Sequence, residues 1–274
     1  MKQSILITGA SAGIGKASAI YFANKGWNVA ATMRNTGNQP ELEQHNNIKL
    51  YQLDVTDAES VTAAAQAVVD DFGQIDVLLN NAGYGLVGPL ESATEADVMK
   101  QFDTNLFGVI RVIKAVVPTM KAQKNGIIIN VTSIGGLVAF PFNSLYHATK
   151  FGLDGLSESL KYEFKPFGIK VKVVAPGGVI TDFAGRSLHT TIKPGEKSDY
   201  DEALAKVWAR FDANKENYST AELMAEIIYG AATDGSDQLR YVAGKDAEGV
   251  YAAWKSMDNE AFFDMVSKNF GLEE

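Results

Sequence analysis

Short apolar runs recur along this 274-residue chain at Ser4–Thr8, Trp27–Met33, Ile48–Leu53, Ile75–Leu79, Gly126–Val131, Ile169–Val174 and Leu239–Val242. A stretch of helical character separates each from the next. Strands that are apolar at nearly every position are buried on both faces, and strand–helix–strand alternation lays them side by side in parallel. The expected fold is therefore α/β: a doubly wound parallel sheet with helices on both faces and ligands beyond the carboxyl ends of its strands. No Pro/Gly/Ser-rich linker or repeat divides the chain, so one domain over 1–274 is expected. It would carry a lid-like segment at about 182–218 and a helical tail at about 246–274.

The first crossover is the most informative. Ser4–Thr8 runs straight into Gly9-Ala-Ser-Ala-Gly13-Ile-Gly15 and then into an Ala-rich helix. Glycines here permit a tight turn, let the backbone approach a pyrophosphate, and leave the first-turn N–H groups of the helix free to bind it. Thr8, Gly9, Ser11, Gly13, Ile14 and Gly15 are the expected contacts to a Rossmann-bound dinucleotide. At the end of the second strand stands Met33-Arg34-Asn35, with no acid to bind an adenosine ribose. An arginine suits a 2′-phosphate, so NADP(H) is favoured over NAD(H) and Arg34 is its expected reader. Asp54 and Val55 follow the third strand; Asp54 reads equally as an adenine contact or as a capping or turn aspartate.

Asn80-Asn81-Ala82-Gly83 closes the fourth strand, and its small residues and amides are expected to line the cofactor through Asn81, Ala82 and Gly83. Thr94-Glu-Ala-Asp97 has the form of a capping box opening the next helix. That helix carries Asn105 with Gly108 three residues on, poor helix-interior chemistry that points to a constraint other than helicity. After the sixth strand, Pro176-Gly177-Gly178-Val179-Ile180-Thr181 is a turn able to lay its backbone on a nicotinamide carboxamide, which makes Pro176, Gly177, Val179 and Thr181 candidate contacts.

Chemistry is expected where the fifth strand ends, at Ser133, and in the helix that follows, where Tyr146 and Lys150 stand one above the other at i,i+4 spacing. A phenol titrates near ~10, so acid–base work at neutrality asks for a lowering of roughly 2–3 units, about 3–4 kcal/mol. One ammonium at ~4 Å and an effective dielectric of ~20 supplies about 4 kcal/mol. Tyr-x-x-x-Lys also occurs at Tyr21/Lys25, Tyr241/Lys245 and Tyr251/Lys255, so position in the fold has to choose among the four. Tyr21 lies about 12 Å down its helix from the glycine loop and faces away from it. Tyr241 and Tyr251 follow no strand end that carries a hydroxyl. His147, turned about 100° from Tyr146 around the helix, reads as packing or surface.

Other chemistries are excluded by composition. The chain has no cysteine, and its histidines (His45, His147, His189) are scattered, so no metal site is expected. A net charge of −8 argues against a nucleic-acid or anionic-membrane partner. The N-terminus shows neither signal-peptide architecture nor a membrane-length run, so a cytoplasmic location is expected.

In order and spacing, Thr8-Gly-x-x-x-Gly-x-Gly15, Asn80-Asn-Ala-Gly83, Asn105, Ser133, Tyr146-x-x-x-Lys150 and Pro176-Gly177 with Thr181 resemble the short-chain dehydrogenase/reductase family, in its compact single-domain branch, over about residues 4 to 245. The resemblance implies a catalytic tetrad of Asn105, Ser133, Tyr146 and Lys150. In it Asn105 helps to position a water that relays protons to Lys150, and Lys150 and Tyr146 also hold the nicotinamide ribose. It implies hydride transfer between NADP(H) and a ketone or aldehyde, or the corresponding alcohol, and a homodimer or homotetramer. Ala31-Thr-Met-Arg34 is similar to NADP-preferring carbonyl and hydroxysteroid reductases. An NAD-preferring alcohol dehydrogenase, a dehydratase or epimerase, and a non-catalytic dinucleotide sensor are the rival readings.

Two stretches stay open at this level. Leu204, Val207, Trp208 and Phe211 share one helical face, either a lid over an apolar substrate or ordinary packing. The tail carries Val250, Tyr251, Trp254, Met257, Phe262, Phe263 and Val266, which call for docking on the body, a subunit contact or a wall of a substrate pocket.

Overall fold

A computed structural model describes residues 2–181, 187–192 and 197–273. Of the expected lid-like segment, residues 182–186 and 193–196, with Gly185, Pro194 and Gly195 among them, lie outside the described residues. In chain order the strands are β1 Ser4–Ile7, β2 Asn28–Met33, β3 Ile48–Gln52, β4 Val77–Asn80, β5 Gly85–Val87, β6 Gly126–Val131, β7 Ile169–Pro176, β8 Val179–Ile180, β9 Leu188–Thr190, β10 Ser219–Thr220 and β11 Arg240–Ala243. The helices are α1 Gly13–Asn24, α2 Pro40–Glu43, α3 Ala58–Phe72, α4 Glu95–Phe102, α5 Gly108–Gln123, α6 Ser144–Phe164, α7 Asp201–Ala213, α8 Ala221–Thr233, α9 Lys245–Ser256 and α10 Asn259–Phe270.

Seven strands form one parallel sheet in the order β11-β7-β6-β4-β1-β2-β3. The chain winds outward from β1 through β2 to β3, then returns to β4 on the other side of β1 and winds the opposite way. The crevice at that reversal, between the carboxyl ends of β1 and β4, is where such sheets bind ligands. Every residue of β1 and β4 is buried, as their unbroken apolar runs require. Alternate residues serve opposite faces. Ile5, Ile7, Val77 and Leu79 join Phe22, Met224 and Ile228 of α1 and α8, whereas Leu6, Leu78 and Ile128 join Val68, Val116 and Leu153 of α3, α5 and α6.

Local chemistry sets the helix ends. Asp57 caps α3 by accepting from the Glu59 and Ser60 amides, and Gly73 closes it at φ +77°. Thr94 and Asp97 form the expected capping box on α4. The single helix expected through Asn105 is instead broken by a π-helical turn at Asp103–Phe107. Gly108 explains the pressure at this point, because a Cβ there would sit 2.8 Å from Val55 Cγ2. Widened turns of this kind let a helix pass a close contact and commonly mark functional positions.

A third apolar cluster holds the tail. Phe262, Val266 and Phe270 of α10, with Val207 of α7 and Ala247 of α9, pack on Ile134, Val138 and Val173. Two short parallel pairs, β5 with β9 and β8 with β10, have no counterpart in the sequence-based expectation; they tie segments 187–192 and 219–220 to the edge where the strands end.

Candidate active site

The glycine loop is fastened from the fourth strand. Thr8 Oγ1 accepts from the Asn81 and Ala82 amides at 3.0 and 3.1 Å, and Asn81 Nδ2 donates to the carbonyls of Thr8 and Gly9 at 2.9 and 3.2 Å. Gly9 and Gly13 have φ of +69° and +53°, a left-handed region that a side chain rarely adopts. A Cβ on Gly15 would stand 2.5 Å from Asn81 Nδ2, so that glycine serves the close packing of helix on strand. Where α3, α4, α8 and α10 are capped by a side chain, α1 begins at Ala12 with no side-chain cap and no acid in its first turn. Its orphan N–H groups therefore face the cleft as an anion site.

One cleft of about 1220 Å³ runs along the carboxyl ends of the strands. Of the expected cofactor contacts it is lined by Gly9, Ser11, Gly13, Ile14, Arg34, Asp54, Val55, Asn81, Ala82, Gly83, Tyr146, Lys150, Pro176, Gly177, Val179 and Thr181. Thr8 and Gly15 are absent from the lining: both face inward, Thr8 holding the β4 loop and Gly15 packing against it. Asp54 behaves as a turn aspartate, its Oδ1 accepting from Thr56 N and Oγ1 at 2.9 and 2.7 Å, while still bordering the cleft. A loop anchored this way, beside uncapped helix amides and an Arg34 with no acidic partner among the described residues, fits a dinucleotide with its pyrophosphate on α1.

Ser133, Tyr146 and Lys150 converge in the same cleft. Ser133 ends the run from β6 and accepts from the Gly135 amide at 3.0 Å, and its hydroxyl stands near enough to the Tyr146 phenol to favour the phenolate. Lys150 Nζ lies 5.7 Å from the Tyr146 ring centre and donates to the Val131 carbonyl at 2.9 Å. Lys150 is buried, and Tyr146 is half-buried on the cleft wall. Burial raises the phenol, opposed only by the nearby Ser133 hydroxyl, and lowers the Lys150 ammonium to about 8. This differs from the sequence-based expectation of a phenol already lowered by its neighbour: with protein groups alone, desolvation prevails and Tyr146 stays a neutral donor at neutral pH.

Asn105 is 1% exposed and does not reach the cleft. Its Oδ1 accepts from Tyr84 N at 3.0 Å, and its Nδ2 donates to Tyr84 O at 2.8 Å and Thr149 Oγ1 at 3.3 Å. The expected water relay finds that amide already engaged. Its observed work is to hold the backbone at Tyr84 behind Gly83, where a Cβ would come 3.8 Å from Lys150 Nζ.

His147 does the packing that the sequence reading allowed it, and other site residues escaped that reading. His147 is a buried strut: Nδ1 bonds the Gly135 carbonyl at 2.6 Å, and Nε2 accepts from the Phe140 amide at 2.8 Å. Desolvation holds its pKa below the usual histidine value. Phe142 adopts φ +58° just before α6, with its carbonyl held by the Gly88 amide at 2.8 Å. A non-glycine residue in that region signals a locally imposed turn; here it delivers Asn143 and Tyr146 to the cleft. Asp246 reaches back from α9 to accept from Gly178 N at 2.6 Å. Only a search for carboxylates near Gly-Gly turns could have signalled it, and the tertiary contact is what identifies it.

A family profile described as short chain dehydrogenase matches residues 3–191. An uncharacterized oxidoreductase of Schizosaccharomyces pombe is 38% identical over 243 residues, 88% of this chain and 100% of that protein. The 3-ketodihydrosphingosine reductase of Bacteroides thetaiotaomicron is 40% identical over 204 residues, 74% of each chain. Among solved structures, ElxO with NADP bound superposes with a TM-score of 0.74 at 32% identity, covering 88% of this chain and 97% of that one.

Proposed function

Because this chain belongs to the short-chain dehydrogenase/reductase family and is an oxidoreductase, we propose that it transfers hydride between NADP(H) and a ketone or aldehyde, working as a reductase. The observation that carries the reading is the convergence of the Ser133–Tyr146 hydroxyl pair and the Lys150 ammonium beside an uncapped glycine-loop helix. When bound, the dinucleotide supplies the hydride and the chain's own residues do the rest. Ser133 donates to the carbonyl oxygen where negative charge develops. Tyr146, half-buried and held neutral by partial desolvation, gives that oxygen its proton. Lys150 keeps a cation beside the phenol as it becomes phenolate, and Asn105 holds the Tyr84 backbone that walls the site.

Arg34 supports the NADP(H) preference. It borders the cleft at the end of β2, where no acid stands, and the superposed ElxO structure contains NADP. A name built on a keto substrate, as in the Bacteroides thetaiotaomicron relative, agrees with the carbonyl class. Steady-state oxidation of NADPH and NADH against a panel of ketones and aldehydes tests the reading. Turnover is expected with NADPH well above NADH; tight NADPH binding with no carbonyl reduced would mark a sensor instead and overturn it.

A further inference from the structure

The cleft does not end at Tyr146. A second cavity of about 570 Å³, within the size range of small-molecule sites, opens behind it. The two spaces share Ser133, Tyr146, Gly178 and Phe211, so the hydroxyl pair stands at their junction. On one side the main cleft continues past Tyr84, Val87, Leu188 and Trp208. On the other the second chamber is walled by Phe140, Val250, Met265, Val266 and Phe270, three of them from α10. The tail helices thus supply one apolar wall of the chamber. Exposed Arg210, Lys245 and Asn269 stand at its polar margin.

A carbonyl carbon is trigonal. With its oxygen held by Ser133 and Tyr146, its two substituents diverge within one plane on either side of the C=O axis, and here each side leads to a chamber. We propose that the substrate is a ketone with two sizeable arms, one lying in the main cleft and the other, apolar, in the chamber walled by α9 and α10. The inference rests on the carbonyl-reductase reading. In the reaction the carbonyl carbon gains the hydride, the C=O π pair moves to oxygen, and oxygen takes the Tyr146 proton. A secondary alcohol results, and the nicotinamide is left oxidised. An aldehyde or methyl ketone leaves one chamber unfilled and forgoes its burial.

The test is kcat/KM with NADPH for carbonyls that keep one phenylethyl arm while the other is hydrogen, methyl, ethyl, propyl or butyl. Each methylene buried is expected to raise kcat/KM about fourfold until the chamber is filled. The aldehyde is expected to be the poorest despite its greater intrinsic electrophilicity. Val250→Trp should lower the propyl-to-methyl ratio at least tenfold, a ratio read within one preparation. Gly249→Leu, at a helical position where an added Cβ meets nothing within 4 Å, gives a second, fold-compatible block that should shift the ratio the same way. A flat or falling series overturns the inference while leaving the reductase reading in place. A rising series that neither variant alters overturns the assignment of the arm to this chamber, and no turnover of any member overturns both readings.

Discussion

Among the described residues two lysines are buried, Lys150 in α6 at 7% exposure and Lys172 in β7 at 1%, and each lies beside a tyrosine. Lys172 Nζ pairs with Asp234 at 2.5 Å and with the Tyr241 hydroxyl at 3.0 Å, and Ser236 completes the network. Burial alone would raise the Asp234 carboxyl; bonds from Lys172, Tyr241 and Ser236 hold it well below the usual carboxylate range. Lys150 has no carboxylate partner among the described residues, and its described hydrogen bond goes to a neutral carbonyl. The contrast separates structure from chemistry. A buried cation matched by an anion locks a strand edge, whereas an unmatched one is a strain on the fold that persists beside a phenol able to use it.

The contrast can be broken most directly at Lys150. Lys150→Met should cut turnover by about 10²–10⁴-fold. It should also stabilise the protein at neutral pH, by at most about 3 kcal/mol, since a shift from 10.5 to about 8 corresponds to that much burial cost. Lys172→Met should do the reverse, lowering stability by about 2–4 kcal/mol, with the Asp234 carboxylate left without its cation, and leaving turnover largely intact. Denaturant midpoints and NADPH-linked rates, measured on both variants, would erase the distinction if the two lysines behaved alike.

Smaller effects sharpen the same contrast. Arg34→Ala should weaken NADPH binding by about 10–100-fold with little effect on NADH, a charge-assisted pair being worth about 1.5–3 kcal/mol; equal losses in titrations of both would remove Arg34 from cofactor choice. In a pH profile, kcat/KM for reduction should fall as pH rises past about 8, where Lys150 loses its proton in the free enzyme. The stability sign is opposite: the unfolded chain holds the extra proton between about 8 and 10.5, so the Lys150 penalty fades as pH climbs through that window. His147 sets the acid side. Its folded pKa lies below the ordinary 6.5, so the unfolded state takes up the proton first and stability declines as pH drops through 6.5. Denaturation midpoints of His147→Gln should lose part of that slope.

The four Tyr-x-x-x-Lys pairs show what a sequence can and cannot display. Helical spacing alone brings Lys25 to 5.3 Å from the Tyr21 ring, Lys255 to 5.3 Å from Tyr251, and Lys150 to 5.7 Å from Tyr146. Local geometry is the same in all three, and only the strand-end position of Ser133 and Tyr146 distinguished them beforehand. The seven-stranded sheet was legible because apolar runs of four to eight residues carry burial in their composition. The β5–β9 and β8–β10 pairs were not, since two or three residues joined across long sequence separations leave no periodic trace. Tyr241 finds its cation in Lys172 on the neighbouring strand, a non-local pairing invisible to spacing rules. Asn105 was marked as unusual and Thr8 as a cofactor contact, yet whether a polar side chain turns toward a ligand or toward a neighbouring backbone is decided by tertiary packing.

The match to the family profile stops at residue 191, so α9 and α10 lie wholly outside it. Dinucleotide cradle and rear wall are therefore written on separable lengths of chain, and a graft of the last thirty residues or so could retune selectivity without redrawing the front half. Beside the apolar contacts of the third cluster, Asp246 ties the tail to the front half through Gly178. Any transplanted tail that omits this carboxylate would loosen the turn after β7, and the exchange would fail by misplacing a backbone amide rather than by losing a side-chain contact.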